Sequence, residues 1–190
     1  LVQDALDARV RKHNADWGVV VISDVSTGRI LVLADSGSTT PNPSKPQSVM
    51  GVQAPYEPGS VGKLLTVASA LEKGTTTPTT AYSVPYSISP ADAGGPISDY
   101  HEHGTEMMTT TGILTQSSNV GTIEVGEQVG DRDRYDFMTK MGLNQVTGIE
   151  LAGESQGIMR DFDAIQGRDR YTMMFGQSYA ITAIQQNQFI

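Results

Sequence analysis

The sequence predicts a mixed fold of helices and strands, α/β or α+β, in one domain. Three observations carry this. Runs rich in β-branched residues, Trp17 to Val25 and Arg29 to Leu33, flank a Ser26-Thr27-Gly28 turn and form the clearest hairpin signal in the chain. Apolar residues at helical spacing, closed by glycine stops, recur between Val61 and Gly142. The 190 residues, 38% hydrophobic with 20 glycines, suit a single globular domain with many turns and a real core.

Taken in order, Leu1 to about Asn14 places Val2, Leu6 and Val10 on one side of an amphipathic helix. It begins without a methionine or a cap, so the chain is expected to extend upstream. In the first hairpin strand Val19, Val20, Val21 and Ile22 are consecutive, which predicts cover on both faces. Ser36 to Pro55, with Pro41, Pro43, Pro46 and Pro55, reads as a long loop. Pro58 and Gly59 make a rigid turn that feeds a helix at once, with Val61, Leu64, Leu65, Ala68 and Leu71 as its apolar face and Gly74 as its stop. Tyr82 to Ser89 is a short strand pushed to an edge by Pro85.

Asp92 to Met108 reads as a polar connection. Thr109 to Gln116 and Val120 to Val129 read as helices, the second stopped by Gly130. Asp131 is the expected cap of a third helix that Gly142 ends, with Arg132 and Asp136 paired on its exposed side. Thr147 to Leu151 reads as a short extended piece, Gly153 to Gly157 as a turn, and Thr182 to Ile190 as the start of a helix.

The bulk numbers exclude several classes of function. A formal net charge of −8 lacks the basic footprint that nucleic-acid binding needs, and gives no support to an anionic membrane surface. No run approaches the length of a transmembrane helix. The absence of cysteine rules out disulfides and thiolate metal sites. His101 and His103 would share a face of an extended segment, which is half a metal site, but only His13 remains to complete it. Solvated loop histidines are the expected reading.

The chemistry concentrates on Ser60 and Lys63, three apart and therefore neighbours on one helix surface. A serine hydroxyl needs a base to become a nucleophile. A lysine amine supplies one once burial or positive charge lowers its pKa. Unpaired N–H groups at the helix start would favour an oxyanion forming there. Alone, Ser-x-x-Lys reads more simply as an N-cap and a solvated lysine. A phosphate-binding loop is rejected, because Glu57 stands where that motif needs glycine and Leu64 where it needs Ser or Thr. Ser117-Ser118-Asn119 alone likewise reads as a helix-end turn bonding its own backbone. Together the two pieces match the Ser-x-x-Lys and Ser-x-Asn elements of penicillin-recognising serine enzymes. A hydroxyl at Ser117, bonded to the Lys63 ammonium, can relay a proton to a leaving amine. An amide at Asn119 can donate to a substrate carbonyl and hold Lys63.

On these residues the chain resembles the transpeptidase domain of penicillin-binding proteins, most like the monofunctional class B kind. The resemblance extends through the hairpin Val21 to Leu31, the approach Tyr56-Glu57-Pro58-Gly59-Ser60, and Gln116 to Gly121. It continues through Gly142-Leu143, Thr147 to Gly157, Phe175-Gly176-Gln177 and Thr182 to Gln185, in the family's order and over nearly the whole chain. It implies an α+β fold of the β-lactamase/transpeptidase type: an antiparallel sheet flanked by helices, with an all-helical subdomain.

The resemblance also implies a peptidoglycan D,D-transpeptidase working through a serine acyl-enzyme. Ser60 would be the nucleophile, Lys63 its base, Ser117 a proton relay and Asn119 a contact to substrate and Lys63. The implied partners are peptidoglycan stem peptides and β-lactams, with a glycosyltransferase and division or elongation proteins beside them, on the extracytoplasmic face of the bacterial membrane. No metal or organic cofactor is implied.

The family's third element, Lys-Thr-Gly, is not present. None of Lys12, Lys45, Lys63, Lys73 and Lys140 precedes Thr-Gly. In the family that strand follows the point where residue 190 falls. Residues 1–190 are therefore expected to be a partial transpeptidase domain, without the membrane anchor or the C-terminal strands, and inactive alone. The alternatives are a β-lactamase using Glu154 to activate water, against a structural role for that turn, and a non-catalytic penicillin-sensing or scaffold domain.

Overall fold

The computed structural model describes residues 1–37 and 49–190. Pro41, Pro43 and Pro46, on which the long-loop expectation rested, lie outside the described residues. In chain order the elements are α1 (Val2–His13), β1 (Gly18–Ser23), β2 (Ile30–Ser36), α2 (Met50–Gln53) and a 3₁₀ turn (Gly59–Gly62). Next come α3 (Lys63–Lys73), β3 (Ala81–Val84), β4 (Ser87–Ile88), β5 (Ile97–Ser98) and β6 (Glu106–Thr109). Then follow α4 (Thr110–Gln116), α5 (Asn119–Glu127), α6 (Asp131–Lys140), a second 3₁₀ turn (Phe162–Ala164), α7 (Arg168–Thr172), a third 3₁₀ turn (Met173–Phe175) and α8 (Ala183–Phe189). The fold is α+β, and its strands pair antiparallel in three two-stranded sheets, β1-β2, β3-β6 and β4-β5. Two compact units divide the chain.

The first unit holds residues 1–56, 142–158 and 181–190. Its hairpin runs in register from Gly18↔Ser36 to Ile22↔Val32. Asp24 makes the turn, its carboxylate accepting from the Ser26 N–H (2.8 Å), the Ser26 hydroxyl (2.6 Å) and the Thr27 N–H (3.2 Å). Gly18 lets α1 lie close, since a Cβ there would meet Val10 Cγ2 at 2.9 Å and Leu6 Cδ1 at 3.0 Å. The expectation of two covered faces on β1 holds only in part. Val19, Val20 and Val21 are half-buried, with α1, α2 and α8 packed against the strand, but Ile22 is exposed.

The Thr147–Leu151 piece joins no sheet among the described residues, and Glu154 holds its start by accepting from the Thr147 N–H (2.7 Å), the Thr147 hydroxyl (2.5 Å) and the Gly148 N–H (3.1 Å). Helix α8 starts on a capping box between Thr182 and Gln185. The buried Gln185 amide also donates to the carbonyls of Gln145 (2.7 Å) and Gln156 (2.9 Å), pinning that turn region to the helix.

The second unit holds residues 57–141 and 159–180. It is not all-helical, since β3-β6 and β4-β5 belong to it. Two of those strands, β5 and β6, lie in the stretch read as a plain polar connection. Val67, Ala70, Val84, Met108, Ile113, Val120, Val125 and Val129 pack as one core, and Ala93, Ile97, Ile123, Tyr171, Met174 and Phe175 as another. Helix α3 sits between neighbours, so its burial departs from the predicted stripe. Lys63, Leu65, Thr66, Val67, Ser69 and Ala70 are buried, whereas Leu64 and Leu71 lie on the exposed side. Thr66 on that buried surface donates to the Met174 carbonyl at 2.7 Å.

Asp131 is not the cap of α6. It is the first helical residue, and its carboxylate accepts from Arg134 (2.8 Å) and Arg170 (2.6 Å). Arg132 and Asp136 pair on the surface as expected.

Candidate active site

The turn Tyr56 to Ser60 is shaped by two close backbone approaches. The Gly59 N–H donates to the Gly176 carbonyl at 2.9 Å, and both glycines hold positive φ, +56° and +89°. A Cβ on Gly176 would collide with the Gly59 backbone, so the pair fits only without side chains. Glu57 closes the other side, accepting from the Ser178 N–H at 2.8 Å. From this clamp Ser60 rises in a 3₁₀ turn, where the sequence predicted α-helix at once. It is exposed, and its hydroxyl has no hydrogen-bond partner among the described residues.

Lys63 opens α3 and is 1% exposed. Its ammonium donates to the Ser117 carbonyl and to Ser117 Oγ, the latter at 3.0 Å. Burial holds its pKa well below the usual lysine range, at about 8, while the nearby Asp99 charge pulls the other way. A buried amine with this pKa is suited to exchange a proton near neutral pH.

Ser117 can face Lys63 twice because it caps α4 in the left-handed region, φ +55°. The chain then turns into α5, capped by the Ser118 hydroxyl, which accepts from the Gly121 N–H at 2.8 Å. Asn119 lies beside them, but its amide donates to the Ser98 carbonyl at 3.0 Å and makes no hydrogen bond to Lys63. The expected Asn119–Lys63 hydrogen bond is therefore not present among the described residues, where Lys63 donates to Ser117 instead.

Ser60, Ser117 and Asn119 line one cleft of about 570 Å³, together with Asp99, Tyr100, His101, His103, Glu106 and Gln177. Lys63 does not line this cleft and is joined to it through Ser117. The sequence reading missed Asp99 and took His103 only as a solvated loop histidine. Asp99, 9% exposed, accepts from the N–H groups of Asn119 (2.5 Å) and Val120 (3.0 Å) and from the Ser118 hydroxyl (2.7 Å). His103 Nε2 lies 3.1 Å from the same carboxylate. The available signal was the need of the α5 N-terminus for an anion, which no residue inside Ser117-Ser118-Asn119 supplies.

The two loop histidines both line the cleft but have different neighbours. His101 stacks edge-on against Tyr100, with ring centroids 4.6 Å apart, and His103 faces Asp99. No group of three or more His, Asp or Glu among the described residues is arranged to hold a metal ion. Glu154, weighed as a water-activating base, commits its carboxylate to Thr147 and Gly148 inside its own turn.

Comparison with known proteins gives a consistent result. The family described as the penicillin binding protein transpeptidase domain matches residues 18–190. The chain is 35% identical over 190 residues to the penicillin-binding protein PbpB of Mycolicibacterium smegmatis, covering 97% of this chain and 28% of that protein. It is 29% identical over 191 residues to the peptidoglycan D,D-transpeptidase FtsI of Escherichia coli, covering 97% and 32%. Among solved structures, a peptidoglycan synthetase from Bifidobacterium adolescentis superposes with a TM-score of 0.88 at 34% identity, over 97% of this chain and 34% of that one. Penicillin binding protein 3 from Mycobacterium tuberculosis, complexed with aztreonam, superposes with a TM-score of 0.88 at 32% identity, over 97% and 42%. The chain thus spans less than half the length of each of these relatives, and it shares their β-lactamase-like transpeptidase fold.

Proposed function

The chain belongs to the penicillin-binding protein transpeptidase family, and from that premise we propose that it carries the nucleophile and its base in a peptidoglycan D,D-transpeptidase. The observation that carries the reading is the buried Lys63 amine, its pKa lowered to about 8, bonded to Ser117 at the edge of the cleft that Ser60 lines.

In this reading neutral Lys63, roughly a tenth of the population at pH 7 for a pKa near 8, takes the Ser60 proton. Ser60 Oγ bonds to the carbonyl carbon of the penultimate D-Ala. The C–N bond to the terminal D-Ala breaks. The proton passes from the Lys63 ammonium through Ser117 Oγ to the departing amine. A second stem peptide's amine then attacks the ester, forms the cross-link and releases Ser60. Asn119 orients the stem peptide once it enters the cleft. β-Lactams, as cyclic amides of the same shape, acylate Ser60 and stay. Catalytic contacts of the Ser60 hydroxyl are expected to tighten when substrate binds.

The same reading places the protein on the extracytoplasmic face of the bacterial membrane, working beside a glycosyltransferase and division or elongation proteins. The test is to give the full-length gene product peptidoglycan strands bearing pentapeptide stems. Release of D-Ala with new stem-peptide dimers is expected. D-Ala release without dimers would make it a carboxypeptidase, and neither product from folded protein would overturn the reading.

A further inference from the structure

Asp99 is buried yet belongs to no expected element of the site. Each of its oxygens is committed. Oδ1 accepts from the Asn119 and Val120 N–H groups, and Oδ2 accepts from the Ser118 hydroxyl and faces His103 Nε2. One carboxylate thus ties three successive residues at the start of α5, directly after Ser117. The His103 ring is bracketed by acceptors, Asp99 at Nε2 and the Gly104 carbonyl at Nδ1 (2.6 Å). A neutral imidazole has one N–H and satisfies only one of them, whereas the imidazolium donates to both.

We propose that Asp99 is a positioning residue of the acyl-transfer site, clamping the Ser117–Asn119 turn beside Lys63, and that His103 is its counter-ion. The inference rests on the function proposed above. Its mechanics follow from the placement. The Asp99 charge favours the Lys63 ammonium, so it opposes release of the base, and His103 offsets that charge when protonated. Its bonds to Asp99 and to the Gly104 carbonyl raise the His103 pKa. The charged groups that face this cluster are Lys63 from α3, and His101 and Glu106 from the segment that carries His103.

The test measures the rate of covalent labelling by a fluorescent penicillin from pH 5.5 to 9.5, together with the melting temperature, in the full-length gene product. For Asp99→Asn, a plateau lower by at least about tenfold is expected, because a displaced turn spoils the attack geometry. Its ascending limb should also move to lower pH, since the charge that stabilises ammonium at Lys63 is gone. For His103→Gln, the ascending limb is expected to move to higher pH, because the Asp99 charge that favours the Lys63 ammonium is no longer offset.

A purely structural role would lower stability without moving either limb. Labelling of Asp99→Asn within twofold of the wild type with an unmoved limb would overturn the inference while leaving the proposed function standing. If Asp99→Asn does not fold, the His103→Gln profile decides, and superposition on the wild type overturns it. A wild type that takes no label overturns the proposed function and this inference with it.

Discussion

Lys63 Nζ lies 3.0 Å from Ser117 Oγ, joining residues 54 positions apart at a site where one of them is 1% exposed. The contact depends on Ser117 adopting a left-handed conformation at a helix end, and on a turn clamped by two glycines at the other side.

Replacing this base while keeping its charge tests its role directly. Lys63→Arg retains a cation but cannot lose its proton near neutral pH. Penicillin labelling should fall by about 10²- to 10⁴-fold, the usual contribution of a positioned general base. Labelling within threefold of the wild type in stopped-flow fluorescence would remove Lys63 from the mechanism.

The same lysine sets a pH dependence of stability. Its folded pKa of about 8 lies below the ordinary value of about 10.4, so between the two the unfolded chain binds more protons. The cost of burying the ammonium is fully present below pH 8 and is relieved as pH rises towards 10. The unfolding free energy of the wild type, relative to Lys63→Met, should therefore increase from pH 7.5 to pH 10 in urea titrations. A flat difference would mean that Lys63 is solvated.

Gly62 marks a packing limit under the nucleophile's turn. A Cβ there would meet the Tyr179 hydroxyl and would stand 2.7 Å from the Gly176 Cα. Gly62→Ala should cost about 1–3 kcal/mol, as overpacking does. The Tyr179 hydroxyl is buried with no hydrogen-bond partner among the described residues, so Tyr179→Phe should be neutral or stabilising and should offset part of the Gly62→Ala loss. Simple additivity in thermal unfolding of the double variant would contradict this packing.

Arg134 is 4% exposed and donates to the Gly126 carbonyl, Asp131 and the Arg170 carbonyl. Asp131→Ala leaves that buried cation short of its carboxylate. A loss of about 3 kcal/mol is expected, with little change in penicillin labelling of the folded fraction. Stability within 0.5 kcal/mol of the wild type would show that water replaces the carboxylate freely.

Local pattern made much of this legible. β-Branched runs around Ser26-Thr27-Gly28 specify the hairpin, and Gly74 and Gly142 mark real helix ends. Ser60, Lys63, Ser117 and Asn119 were readable because their spacing is a chemical motif, and three of them line one cleft. Other features depend on partners distant in the chain. The exposed side of α3 holds Leu64 and Leu71 because its packing neighbours come from residues 110–175. Asp131 binds Arg170 rather than capping its helix, a choice fixed 39 residues away. Asp99 looked like any loop acid, because its three N–H and O–H donors begin 19 residues later.

The most direct measurement is the mass of the full-length gene product after exposure to ampicillin, followed by peptide mapping. The account predicts one adduct of the antibiotic's mass on the peptide carrying Ser60, lost in Ser60→Ala with the melting temperature unchanged. An adduct mapped to another residue, or none on protein shown to be folded, would contradict it.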